Sequence, residues 1–227
     1  MFLFDQYYLF LVVPTLILSF WAQIKVKSTF AKYSRINCSR RITGQGAADL
    51  LLRTNRINNV RIEGVGGSLT DHYDPSAKAV RLSQPVFGSA SIAAVGVAAH
   101  EAGHAIQHAT SWGPLVLRST LVPVANIGSS LGPWIAIAGL FFSFPFLINI
   151  GILLFSVAVL FYVITLPVEF DASNRAIAIL RANNVLTEQE LKGVKKVLTA
   201  AALTYVASAL TAIMSLLRLV LLSRRRR

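Results

Sequence analysis

The feature that most constrains this chain is a stretch of about 50 residues, 119–168, that contains no charged side chain. A helix crosses the apolar core of a bilayer with about 20 residues, so the stretch is long enough for two crossings. Phe144-Pro145-Phe146 and Asn149 are turn residues near its middle, and we predict helices at 124–144 and 147–167. Such a hairpin returns the chain, at Glu169, to the side of the membrane that it left.

Two further apolar segments extend the membrane interpretation. Residues 7–24 carry no charge over about 18 positions, and aromatic residues lie near both ends of the segment, as in membrane anchors. A cleaved signal peptide is disfavoured because Asp5 precedes the segment where a basic residue is expected. Residues 198–217 form a fourth candidate span. Composition agrees, since charged residues make up 14% of the chain, against about 25% in soluble domains.

The net charge of +12 indicates a lipid partner more than a nucleic acid, because the basic residues flank apolar runs and no nucleic-acid-reading motif is present. Basic residues follow the first apolar segment and none precedes it, which predicts that residues 25–41 face the cytoplasm. The tail Arg224–Arg227 conflicts with this assignment if 198–217 crosses fully. The conflict disappears if residues 198–217 lie in the membrane–water interface or re-enter the membrane from the same side. It also disappears if the number of crossings differs elsewhere in the chain.

The region between the first two spans has a soluble composition. Thr43 is a suitable N-cap for a helix reaching about Asn55. Three short alternating segments, 60–62, 69–73 and 79–82, are separated by Gly-rich and Asp-Pro turns and predict a small antiparallel sheet. From about 89 to 109 the pattern becomes helical and rich in alanine.

This last helix contains His100-Glu101-Ala102-Gly103-His104, an HExxH motif. Histidines at i and i+4 lie on one helix face, so both imidazoles can reach one Zn2+ ion. Glu101 is rotated by about 100° from His100 and can act as the general base that deprotonates the attacking water. The alternative is a pair of solvated histidines. Small apolar neighbours on both sides argue against it, because ionisable groups in such a helix need partners.

A catalytic zinc site needs a third protein ligand. His108 is about 12 Å of helical rise from His100, too far to share one ion with it. Glu169 is the better candidate, because the apolar hairpin returns it to the side where His104 lies. Its alternative role is a helix N-terminal charge. Asp171 is the reserve ligand.

An oxyanion donor is also required for amide hydrolysis. The candidates from the sequence are His72, Tyr73 and Tyr205. His72, on or beside a predicted strand, is alternatively a metal ligand or an ordinary loop histidine.

The motifs HEAGHAIQH, PVEFDASNRA, LTDHYDP and VRLS, with the apolar hairpin between the first two, resemble the YugP-like family of neutral zinc metallopeptidases of bacterial membranes. The resemblance covers most of the chain and extends to gluzincin-type membrane peptidases, whose third ligand is the glutamate of an E-x-x-A-D pattern. It implies that His100, His104 and Glu169 are metal ligands and Glu101 is the general base. Ser173 stands where the pattern has its aspartate, so Ser173 itself or Asp171 is the expected substitute.

These observations predict a mainly α membrane protein with three or four transmembrane helices, a zincin-like HExxH helix and a small antiparallel sheet. We divide it into an anchor at 1–27, a catalytic region at 28–118 and the transmembrane hairpin at 119–168. A helical region at 169–197 carries the third ligand, and 198–227 is an apolar helix with a basic tail.

The expected function is zinc-dependent hydrolysis of peptide bonds in membrane-associated or misfolded proteins or peptides, at a cytoplasmic face of a bacterial cell membrane. A membrane zinc protein that is structural or hydrolyses another bond, and a metal-free membrane scaffold, are the competing classes.

Overall fold

The structure, a computed structural model, describes residues 5–224, and most of these residues are helical. After a π-helical turn at Tyr8–Val12, the helices are α1 (Val13–Tyr33), α2 (Gly44–Thr54), α3 (Gln84–Phe87), α4 (Ile92–Ala109), α5 (Gly113–Phe141), α6 (Pro145–Ala182) and α7 (Glu188–Arg224). The strands are β1 (Arg61–Val65), β2 (His72–Asp74) and β3 (Ala79–Ser83). Four helical segments, 8–33, 113–141, 145–182 and 188–224, are long and apolar enough to span a membrane. The mainly α membrane fold is therefore confirmed.

The chain forms two compact units. The membrane unit contains residues 5–23, 116–167 and 203–224 of the described chain, and the site unit contains 24–115 and 168–202. The boundaries fall within α1, α5, α6 and α7.

In the membrane unit, glycines on α5 and α6 allow the two helices to pack closely. A Cβ atom at Gly139 would lie 2.6 Å from the backbone nitrogen of Ile148, and one at Gly151 would collide with the backbone of Ala136. Small residues at such positions are typical of membrane helix pairs, because close backbone approach supplies the packing energy that lipid does not.

The turn between the predicted spans is found where the Phe-Pro-Phe segment indicated, since α5 ends at Phe141 and α6 begins at Pro145. Both helices are longer than predicted. Pro167 lies inside α6 and neither opens a helix nor breaks one. A proline removes one backbone hydrogen bond, and membrane helices tolerate this loss when the rest of the helix continues.

The fourth apolar segment lies inside α7 and is one of the four candidate spans. At one end of the membrane unit, Nη2 of Arg218 on α7 lies 2.6 Å from the Asp5 carboxylate. Further along, the hydroxyl groups of Ser19 and Thr211 are 3.3 Å apart. These contacts place Asp5 and Arg218 at the same end of the unit. Most of the arginine tail, residues 225–227, lies outside the described residues.

In the site unit, the three strands form a mixed sheet in the order β1-β3-β2. β2 and β3 are antiparallel, as predicted, but β1 pairs with β3 in parallel, with Ile62 opposite Val80. The prediction of an all-antiparallel sheet was wrong for this pair. After β1 the chain forms β2 at the opposite edge of the sheet, and β3 then lies between the two. The alternation of apolar and polar residues along a strand does not reveal this strand order.

Capping residues fix the two helices that pack beside the sheet. The Thr43 side chain accepts a hydrogen bond from the backbone N–H of Gly46 at the start of α2, as the sequence indicated. The Ser91 hydroxyl does the same for Ala94 at the start of α4. Each cap satisfies an N–H group that the helix leaves unpaired, so the beginning of α4, two turns before the HExxH motif, is well defined.

Candidate metal centre

Helix α4 presents His100 and His104 on one face, as the i and i+4 spacing predicted. Their rings are 4.7 Å apart between centroids and nearly perpendicular, with an interplanar angle of 81°. Neighbouring alanines such as Ala99 and Ala102 are fully buried, so other elements pack closely around this helix. The motif is therefore buried among apolar side chains, where ionisable groups require partners.

The partner helix is α6, and it approaches α4 at a glycine. A Cβ atom at Gly103 would lie only 2.7 Å from the carbonyl oxygen of Ala172. Val168, Ala172 and Ala176 are spaced by four residues along α6 and are all completely buried. Glu169 follows Val168 directly, so the close approach of the two backbones brings its carboxylate to the histidines.

The three predicted ligands converge. Oε2 of Glu169 lies 3.3 Å from Nε2 of His100 and 3.6 Å from Nε2 of His104. One potential ligand atom from each residue lies within 4.8 Å of the others. Glu169 is only 2% exposed, and Glu101 is also buried. Two imidazole nitrogens and one carboxylate oxygen are a donor set that zinc takes in hydrolases, with one position left open. The residues present therefore fit a zinc ion.

The electrostatics at His104 are set by two opposing effects. Burial alone would lower the pKa of its imidazole, but the nearby carboxylates of Glu169 and Glu101 outweigh burial and raise the pKa above the ordinary histidine value. The site therefore favours positive charge at this position, which a divalent cation supplies in place of a proton.

The Nδ1 atoms of the two histidines have different partners. His100 Nδ1 lies 3.1 Å from the Ser173 hydroxyl. His104 Nδ1 lies 3.0 Å from Oε1 of Gln107. The Gln107 side chain donates to the carbonyl of Val168 (2.9 Å) and to the carboxylate of Asp171 (2.8 Å).

Sequence reasoning missed Gln107. It lies three residues after His104 on the same helix face, and this spacing is the signal that could have identified it. Ser173 and Asp171, which the sequence proposed as substitutes for a missing aspartate, both lie in this network, the first beside His100 and the second beside Gln107.

The remaining predicted residues lie outside the group of three ligands. Asp171, the reserve ligand, also accepts a hydrogen bond from Nε of Arg175 at 2.5 Å. His108 shares a 2.7 Å hydrogen bond through Nδ1 with the hydroxyl of Tyr73 on β2. His72 is exposed, with Nδ1 2.8 Å from the carbonyl oxygen of Thr70. Tyr205 belongs to the membrane unit.

The fold has four candidate membrane spans, and the HExxH helix together with α6 holds a His-His-Glu cluster; this combination defines a recognisable class of protein. The model of the family described as "Putative neutral zinc metallopeptidase" matches residues 8–224, and the chain belongs to this family. It is 49% identical over 215 residues to the "Putative membrane protease YugP" of Bacillus subtilis (strain 168), an alignment that covers 95% of this chain and 96% of that protein. No solved structure matches the chain.

Proposed function

We propose that this protein is a membrane-embedded zinc metallopeptidase that hydrolyses peptide bonds of membrane-associated or misfolded proteins or peptides. The observation that carries the proposal is the convergence of His100, His104 and Glu169 within 4.8 Å, next to a buried Glu101. Membership of the zinc metallopeptidase family supports the same chemistry.

In this proposal His100, His104 and Glu169 hold the metal. A bound zinc ion would polarise the scissile carbonyl and acidify the attacking water. Glu101 takes the proton from that water and delivers it to the leaving amine. Because Glu101, His104 and Glu169 are buried, bulk water screens their charges little, and each interaction is stronger than it would be on the surface.

Strand β2 supports a peptide as the substrate. Tyr73 on β2 is bonded to His108, one helical turn after His104, so the strand runs close to the ligand-bearing face of α4. Within the described residues, no strand pairs with the outer edge of β2. An extended peptide can add to such an edge through backbone hydrogen bonds. Tyr73 remains the proposed oxyanion donor, because its side chain points toward α4, whereas the adjacent His72 points to the opposite face of the strand and is exposed.

The position of Glu169 supports membrane-associated substrates. It directly follows the apolar run 119–168, and α6 continues through it without interruption. At about 1.5 Å of rise per residue, its Cα lies within a few ångströms of the end of the apolar run along the helix axis. Bonds cleaved there would be close to the membrane surface. The basic residues of 25–41 favour the cytoplasmic face, in a bacterial cell membrane.

The test compares the wild type with Glu101→Gln and His104→Ala, each purified in detergent. We expect zinc in the wild type and in Glu101→Gln, and a strongly reduced zinc content in His104→Ala. Cleavage of a reporter peptide tethered to a transmembrane helix should occur only with the wild type. A wild type without zinc contradicts the proposal entirely. Zinc retention without hydrolysis of any tethered or misfolded substrate would favour the structural or non-peptidase alternative.

A further inference from the structure

Gln107 is the only fully buried glutamine side chain among the described residues, and apart from Glu101 and His104 of the HExxH motif the other buried side chains of its helix are alanine, valine and isoleucine. A buried amide is costly unless each of its polar atoms has a partner. Gln107 satisfies this requirement with three hydrogen bonds, one accepted and two donated. Its identity is therefore tied to the partners that it joins.

The partners determine which way the amide points. The Val168 carbonyl can only accept a hydrogen bond, and so can the Asp171 carboxylate, which also receives the guanidinium of Arg175. The NH2 group of Gln107 must therefore face both of them. Its oxygen is left to face His104, and an oxygen can only accept.

It follows that Nδ1 of His104 must be the donor. A neutral imidazole has one N–H, so Nε2 then carries the lone pair, and Nε2 is the atom that lies 3.6 Å from Glu169 in the candidate site. His100 differs in this respect. Its Nδ1 faces the hydroxyl of Ser173, which can donate or accept, so this contact selects neither tautomer.

We infer that Gln107 is a positioning residue that fixes His104 in the tautomer whose Nε2 binds the metal, and that Asp171 fixes Gln107 in turn. This inference rests on the proposed metal site. The role resembles that of other polar groups behind metal-bound histidines, whose loss typically costs about 10- to 100-fold in metal affinity.

Two substitutions separate positioning from a purely structural role. Gln107→Met loses all three hydrogen bonds. Gln107→Glu keeps an oxygen acceptor for His104 and, because two carboxyl groups this close share one proton, can still donate to Asp171 through its hydroxyl group. We expect zinc affinity, measured by chelator competition on the full-length protein in detergent, to fall about 10- to 100-fold in Gln107→Met. In Gln107→Glu it should stay within about threefold of the wild type, although both variants unfold at lower temperature. Equal losses of zinc affinity in the two variants would overturn the inference.

A second measurement reads the tautomer without metal. The chain has four histidines, so 15N-histidine labelling gives few signals. In the metal-free Glu169→Ala variant, which lacks the competing acceptor at Nε2, His104 should show protonated Nδ1 at alkaline pH, and adding Gln107→Met should shift this residue toward a mixture of tautomers. Ser173→Ala is the matched control and should leave the His104 signal unchanged. An unchanged His104 signal when Gln107→Met is added would also overturn the inference, whereas absence of zinc from the wild type would overturn the proposed function instead.

Discussion

The substitution Gly103→Ala tests how the third ligand reaches the histidines. A Cβ atom at position 103 would lie 2.7 Å from the carbonyl oxygen of Ala172, and 3.2 Å from both its carbonyl carbon and its Cα. Ordinary contacts of this kind begin at 3.4 Å. Since the obstructing atoms belong to the α6 backbone, α4 and α6 must separate by about 0.7 Å, the difference between 3.4 and 2.7 Å. Metal–ligand distances vary by only about 0.2 Å, so Glu169 would leave ligand range.

The magnitudes of the two expected effects are separable. Alanine gains about 1 kcal/mol of helix propensity over glycine, whereas overpacking a close contact costs about 1–3 kcal/mol. The free energy of unfolding of the metal-free protein should therefore fall by about 0–2 kcal/mol. Zinc affinity should fall about 10- to 100-fold, or about 1.4–2.8 kcal/mol of binding free energy.

Gly96→Ala is the matched control on the same helix. Its added Cβ would lie 3.0 Å from Cγ1 of Val194, the end of a side chain, and α6 is not among its near contacts. Zinc affinity is measured by chelator competition and stability by thermal unfolding in the same detergent. We expect Gly96→Ala to bind zinc as the wild type does. Unchanged zinc affinity in Gly103→Ala would refute the reasoning, as would an equal loss in both variants.

Three further predictions concern the site and the hairpin. Zinc affinity should decline as the pH falls, and the decline should begin above the ordinary histidine pKa of about 6.5. The reason is that the pKa of metal-free His104 is raised, and only the neutral imidazole can bind the metal. Chelator competition at a series of pH values measures this dependence, and pH-independent binding would contradict the prediction. Glu169→Gln should lower zinc affinity, measured by chelator competition, by more than about 100-fold, and Asp171→Asn should lower it by about 10-fold or less. Equal losses of affinity in the two variants would mean that Glu169 is not a ligand. Gly151→Ala should lower the unfolding temperature by an amount equivalent to about 1–3 kcal/mol, whereas Gly113→Ala, whose Cβ meets open space, should not.

The parts of the site that follow from local geometry were predictable from the sequence. The HExxH spacing places two imidazoles on one face of any helix, whatever surrounds it. The prediction of Glu169 needed one further inference, that an uncharged hairpin returns the chain to the side of the membrane where His104 lies. In the structure the Glu169 carboxylate lies beside the two histidines. The helical membrane class followed from the length of the apolar runs alone.

The parts that depend on packing between distant segments were not predictable. Alternation identified three strands near their observed positions but could not reveal that β3 lies between β1 and β2. The second hairpin helix was predicted to end at residue 167, yet α6 continues through Pro167 to Ala182. Gln107 was overlooked because a glutamine near a helix end is usually solvated, and only the arrival of Val168 and Asp171 from α6 makes it a buried partner of His104.

The arrangement of the ligands implies that the metal site depends on the membrane hairpin. Two of the candidate ligands lie on α4, within the predicted catalytic region 28–118, but the third lies on α6, after about 50 uncharged residues in the sequence. A charged carboxylate that is buried like Glu169 needs compensating partners such as the imidazoles or a metal, and a catalytic zinc site needs three protein ligands. The isolated region 28–118 would therefore carry the whole HExxH motif and still lack the donor set for a catalytic zinc site. The apolar run that accounts for the membrane assignment is, for the same reason, the part of the sequence that connects the two histidines to the third candidate ligand.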